Sequence, residues 1–108
     1  MNKLILDNIE TIKSVCAKHF VKSLYVFGSA STNTMSECSD VDFLYEIDID
    51  SFKGWDIGEY DYVMNLVDIQ IELQNILGKK VDLIKNGHFK NEYFRASIER
   101  SKAIVYGS

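Results

Sequence analysis

A small α/β fold, with a mixed sheet of three or four strands flanked by helices, is predicted by three features of this sequence. Two long segments, about residues 2 to 20 and 60 to 77, place apolar residues at helical spacing. Short apolar runs bounded by turn residues lie between and after them, and the two kinds of segment interleave along the chain. At 108 residues with 46% hydrophobic content the chain can bury one core but not two, which predicts a single domain spanning 1–108.

Each element has its own signal. Ile5, Ile9, Ile12, Cys16 and Phe20 recur on one side of the first segment, opposite Lys3, Asp7, Lys13, Ser14 and Lys18, so one amphipathic helix is expected with Cys16 in the core. Leu24 to Phe27 is a short β-favouring run stopped by Gly28, and Val41 to Ile47 is a second strand. From Tyr60 to Leu77 a stripe of Leu66, Ile69, Leu73 and Ile76 is widened by Val63, Val67 and Ile71. Gly78 follows as a helix-ending residue, with Lys79 and Lys80 near the negative end of the dipole. Val81 to Ile84 makes a third strand, "NEYFRASIERS" a last helix, and "AIVY" a short fourth strand. Asp48 to Glu59 reads as a long polar loop in which Phe52 and Trp55 stand among acids and glycines; these two, with the broad apolar face of the 60 to 77 helix where that is not all core, could serve a partner, and Trp55 is a candidate anchor.

Charge and composition narrow the chemistry. Twelve basic against sixteen acidic residues give a net charge of -4, which argues against non-specific binding to a phosphate backbone. Cys16 and Cys38 form no CxxC pair, and the start "MNKLILDNIE" carries charges where a secretion signal needs an apolar stretch. No apolar run approaches the roughly 20 residues that span a bilayer. A cytoplasmic protein with reduced thiols and no membrane attachment is expected. His19 and His88 lie far apart with no zinc-spaced partner and are expected at the surface, and no phosphate-binding G-x-x-x-x-G-K-[ST] pattern occurs.

The informative stretch is "LYVFGSASTNTMSECSDVDFLYEI", Leu24 to Ile47. Residues two apart in a strand face the same side, about 6.6 to 7 Å along the chain. Asp40 and Asp42 would therefore project together while Val41 enters the core. Two neighbouring carboxylates repel unless a cation neutralises them, and an all-oxygen pair suits Mg²⁺ completed by water and phosphate. Gly28 at the end of the preceding strand permits close backbone approach, and Ser29 adds a hydroxyl, as a phosphate cradle needs. Ser29 has no histidine near it in sequence and makes a poor nucleophile. Each piece alone has an ordinary structural explanation: a turn aspartate, a solvent-facing edge-strand aspartate, a strand-ending glycine. The combination G-S-x10-D-x-D arises by composition about once in a thousand chains of this length.

The stretch "GSASTNTMSECSDVDFLYEI" resembles the signature of the minimal nucleotidyltransferases, a branch of the DNA polymerase beta-like nucleotidyltransferase superfamily. "LQNILGKKVDLI" is similar to that family's later segment, a helix ending in glycine and basic residues before a strand with a third carboxylate, here Asp82. The last helix and "AIVY" also fit, so the resemblance covers almost the whole chain. It departs at "ASTNT", where the family pattern carries an arginine and a further glycine.

The resemblance implies a small nucleotidyltransferase fold and a set of roles. Asp40 and Asp42 would hold two Mg²⁺ ions on the triphosphate of ATP, Gly28 and Ser29 would hold its phosphates, and Asp82 would complete the metal site and accept the proton of the attacking hydroxyl. The minimal size implies that a separate protein supplies the acceptor. Small members, the MntA-like antitoxins, are often paired with a HEPN-domain toxin ribonuclease that they inactivate by transferring AMP to a tyrosine. Two alternatives stand beside this: an antitoxin that neutralises its partner by contact alone, and transfer of a nucleotide to a small hydroxyl compound.

Overall fold

In the computed structural model, which describes residues 2–28, 40–48, 50, 59–87 and 89–107, the N-terminal apolar repeat folds as two helices rather than the single one its periodicity predicts. These are α1, Lys3–Asp7, and α2, Ile9–Lys18. Asn8 makes the break: its side-chain amide donates to the carbonyl of Leu4 at 2.9 Å, and its own N–H turns to the carbonyls of Ile5 and Leu6. Asparagine competes for backbone groups in this way, which makes it a poor residue inside a helix. The apolar face survives the break, since Ile5, Ile12 and Cys16 are all fully buried.

Phe20, at a φ of 62°, turns the chain into β1, Val21–Phe27. The strand begins three residues before the apolar run because Lys22 and Ser23 interrupt the hydrophobic pattern, and the pairing with β2 shifts register between Val21 and Ser23. The remaining elements lie close to their predicted places: β2, Val41–Ile47; α3, Glu59–Leu77; β3, Val81–Lys85; α4, Glu92–Ser101; and β4, Ala103–Tyr106. Asn91 caps α4 by accepting from the N–H groups of Tyr93 and Phe94. Gly78 ends α3 at a φ of +66° and donates its N–H to the carbonyl of Gln74 at 2.8 Å, the left-handed cap that glycine favours.

The strands form one mixed sheet in the order β3-β2-β1-β4, with β2 and β3 parallel and β1 antiparallel to both of its neighbours. The helix-flanked α/β class that the sequence predicts is the one found. A central strand must bury both faces, and β2 does. Val41, Phe43, Tyr45 and Ile47 join the larger core beneath α1, α2 and α3, while Leu44 packs with Phe27 and Ile98 beneath α4. Phe94 of α4 sits edge-on to Phe27 and Phe89, with ring centroids 6.3 and 5.3 Å away.

His19 is not at the surface as expected. Its side chain is only 13% exposed, Nδ1 hydrogen-bonds Asn65 at 2.8 Å, and Nε2 pairs with Glu72. Lys18 reaches the same carboxylate at 2.5 Å, and Asn65 returns a bond to the carbonyl of His19. These contacts tie the end of α2 to α3. The Lys18 hydrogen bond, opposed by some desolvation and helped by His19, holds the Glu72 carboxyl below the usual carboxylate range. His88, Cys38, Phe52 and Trp55 lie outside the described residues. Among the described residues no helix is long and apolar enough to cross a membrane.

Burial pushes the Cys16 thiol up to about 12, so the reactive thiolate is absent near neutral pH. In a Cys38→Ser variant, a thiol-specific aromatic disulfide reagent is expected to leave Cys16 untouched in the folded state and to titrate it fully in denaturant. Rapid labelling without denaturant would contradict the core placement of Cys16.

Candidate active site

Parallel pairing of β2 with β3 places Asp42 directly beside Asp82 in register. On its other side Asp42 faces Phe27 of β1, the residue before Gly28. Phe27, Asp42 and Asp82 therefore form a row across three adjacent strands spaced about 4.8 Å apart, with Gly28 immediately beyond the end of β1. Asp40 is exposed just before β2, and Val41 between the two aspartates is fully buried, as the strand pattern predicts. Gly28 adopts a φ of +70°, a conformation costly for other residues, and a Cβ built there would lie 3.7 Å from Oδ2 of Asp42. Its N–H donates to Oγ of Ser101 at 3.3 Å, so α4 reaches the same corner of the sheet. Ser29 and the segment 30–39, which contains "ASTNT", lie outside the described residues.

The electrostatics are those of crowded acids. Desolvation raises the Asp42 carboxyl above its ordinary value, and the charges of Asp82 and Asp40 and a side-chain hydrogen bond with Asp82 raise it further. A bound cation would reverse that repulsion. The donor set is all carboxylate oxygen, which fits Mg²⁺ and disfavours softer metals. Among the described residues no three His, Cys, Asp or Glu side chains close into a metal cage. Such an open arrangement suits an ion that takes its other ligands from phosphate and water.

The row of acids opens onto a groove that the sequence reading did not anticipate. About 430 Å³ in volume, it is lined by Asp42 and Asp82 together with Val63 and Val67 of α3 and Leu83 and Ile84 of β3. Its one sequence signal was the widened stripe of α3. Val63 and Val67 remain 55% and 36% exposed, while the inward residues Ile69, Leu73 and Leu77 are buried. Tyr45 also lines the groove, and burial followed by the neighbouring Tyr62 pushes its hydroxyl up to about 12, so it stays protonated.

A mixed sheet that aligns carboxylates on adjacent strands beside a glycine corner defines a nucleotidyltransferase class of protein. The chain belongs to the nucleotidyltransferase domain family, whose profile matches residues 9–105. It is 32% identical to the Methanocaldococcus jannaschii protein named "Putative protein adenylyltransferase MJ0128", over 93% of this chain and 100% of that one. The fold is similar to a structure titled as that of a "putative minimal nucleotidyltransferase" (TM-score 0.68, 22% identity, 95% of each chain). It is also similar to a chain of a toxin-antitoxin crystallised with AMP-PNP (TM-score 0.62, 18% identity, 94% of this chain and 74% of that one).

Proposed function

We propose that this protein, acting as one nucleotidyltransferase domain in the cytoplasm, transfers AMP from ATP to a hydroxyl of a partner protein, a tyrosine of a HEPN-domain toxin, and so serves as an antitoxin. The in-register pair Asp42 and Asp82, next to the Gly28 corner, carries the reading. The designation of its relative as a protein adenylyltransferase and the fold it shares with a toxin-antitoxin chain support it.

The reaction asks the residues for positioning and charge control more than covalent chemistry. Asp40 and Asp42 would hold the metal, with Asp82 completing the site, and Gly28 and Ser29 would hold the phosphates. Two bound Mg²⁺ ions would neutralise the triphosphate and favour ionisation of the acceptor hydroxyl. The acceptor oxygen bonds to the α-phosphorus, the bond from that phosphorus to the bridging oxygen breaks, and pyrophosphate leaves with the electron pair. Asp82 takes the hydroxyl proton.

The test is transfer of label from ATP labelled at the α-phosphate, with Mg²⁺, to a co-expressed HEPN-domain partner. Label is expected on the partner, and replacing the modified tyrosine with phenylalanine should remove it. A second reading, neutralisation by contact, is favoured by the apolar side chains that α3 leaves exposed, Val63, Met64, Val67 and Ile71. Neutralisation of the toxin without any label would decide for contact.

A further inference from the structure

The last helix meets the glycine corner along one stripe. Phe94, Ile98 and Ser101 follow one another at intervals of four and three residues and so share a face of α4. Phe94 sits edge-on to Phe27, Ile98 is buried with Phe27 and Leu44, and the hydroxyl oxygen of Ser101 accepts the Gly28 N–H at 3.3 Å. The stripe thus bears on the last residue of β1 and on the glycine after it. Two residues beyond Ser101, Ala103 pairs with Val26 of β1, so the sheet itself fixes the end of α4 in place.

Ser101 is arranged to hold that glycine. Its own hydroxyl proton goes to the carbonyl of Ser97 at 2.9 Å, one turn back in α4, which leaves its oxygen to accept from Gly28. Gly28 needs such a hold. At a φ of +70° it lacks the Cβ that restricts other residues, so its peptide N–H turns at little cost. The bond is longer than the usual range of about 2.7 to 3.2 Å, and an anionic oxygen, the stronger acceptor, can take the N–H over.

Resting on the placement of phosphates at Gly28 above, we infer that Ser101 is a positioning residue for the phosphate tail of the nucleotide. Its hydroxyl fixes the direction of the Gly28 N–H before a nucleotide arrives and yields that N–H to a phosphate oxygen on binding. Direction matters here because Asp40, Asp42 and Asp82 crowd negative charge at the place where a triphosphate must enter. A donor already aimed at the phosphate offsets part of that repulsion without reorganising. The pairing escaped the sequence reading because Ser101 lies 73 residues from Gly28.

The test compares Ser101→Ala with Ser101→Thr, which keeps a hydroxyl able to bond the same carbonyl. Ser97→Ala, an exposed position on the same helix whose carbonyl stays in place, is the control. The probes are inorganic tripolyphosphate and a non-hydrolysable ATP analogue, each with Mg²⁺, and NMR of isotope-labelled glycine amides reads the Gly28 N–H directly. In the free protein Ser101→Ala should speed hydrogen exchange at Gly28 and leave Gly78 and the melting temperature nearly unchanged. Its affinity for both probes should fall by about tenfold, the order expected when one hydrogen bond to a charged group is misaimed. Ser101→Thr should restore exchange and affinity, and Ser97→Ala should match wild type. In wild type tripolyphosphate should shift the Gly28 amide; binding without that shift removes the phosphates from Gly28 and overturns the inference together with that placement. The shift with undiminished or tighter binding in Ser101→Ala overturns the inference alone. A loss that Ser101→Thr does not repair, or one that comes with a lower melting temperature, shows a merely structural role and also overturns it, as does a wild-type protein that binds neither probe. No acceptor takes part, so these outcomes decide the inference separately from AMP transfer to a partner.

Discussion

Replacing Asp42 with asparagine is expected to lower the rate of nucleotide transfer by about a thousandfold or more, and at the same time to stabilise the isolated protein at neutral pH. The first effect follows from removing a charge that would position metal and phosphate in the transition state, where such electrostatic groups carry much of the rate enhancement. The second follows from the sign of the Asp42 shift. Its carboxyl is raised in the folded state by burial and by Asp82 and Asp40, so the fold binds the proton more tightly than the unfolded chain does. That contribution is fully present below the ordinary aspartate value and is lost as pH rises through the raised one. Above that raised value the folded protein therefore carries an ionised group it would be more stable without. Two unit charges about 4 Å apart in water-like surroundings repel by about 1 kcal/mol, which corresponds to a melting temperature about 4 °C higher for the asparagine variant. Near pH 3 the gain should vanish, because Asp42 is then protonated in both states. Mg²⁺ with a non-hydrolysable ATP analogue should raise the melting temperature of wild type and leave the variant unmoved. An equal shift in both would take Asp42 out of the site, and a variant less stable at neutral pH would refute the electrostatic account. Asp40→Asn and Asp82→Asn should each reduce transfer by orders of magnitude as well.

What the sequence made legible was the part governed by local pattern. The run Val41 to Ile47 is apolar almost throughout because β2 is sandwiched between two cores, and the two aspartates stand out against it for the same reason. Gly78 acts through its own backbone within a few residues, so the end of α3 could be read directly, and Asn91 caps α4 just as locally through its side-chain oxygen. Asn8 defeated the periodicity argument because one side-chain hydrogen bond breaks a helix without disturbing its apolar face. His19 could not be placed because its partners, Asn65 and Glu72, are 46 and 53 residues away. The groove was hidden for a similar reason. Val63 and Val67 look like extra core on a helical wheel, and only the packing of α3 against β3 leaves them facing the acids. The neighbours Asp42 and Asp82, 40 residues apart, were paired by resemblance in the sequence, whereas their in-register contact is a property of the sheet.

Phe43→Ala, one residue from Asp42, should act with the opposite sign. Phe43 is fully buried in the larger core, on the face of β2 opposite the carboxylate, where it joins Val26, Ile69 and Leu73 among others. Truncating a buried phenylalanine removes its transfer free energy and leaves a cavity that surrounding strands and helices cannot fully close, at a cost of about 3 to 5 kcal/mol. Against a typical total of about 5 to 15 kcal/mol, that is a large share of the stability of a chain this size. Urea denaturation should therefore show a much lower midpoint with an unchanged slope. Phe43→Leu, which refills most of the space, should cost a fraction of this. The pleat keeps Phe43 and Asp42 on opposite faces, so the double variant separates packing from charge. Additivity within about 0.5 kcal/mol would mean that the acids repel one another whatever the core contains. A larger coupling would mean that the ring of Phe43 sets the pleat that holds Asp42 against Asp82, and the transfer rate of Phe43→Leu should then fall in step with that coupling.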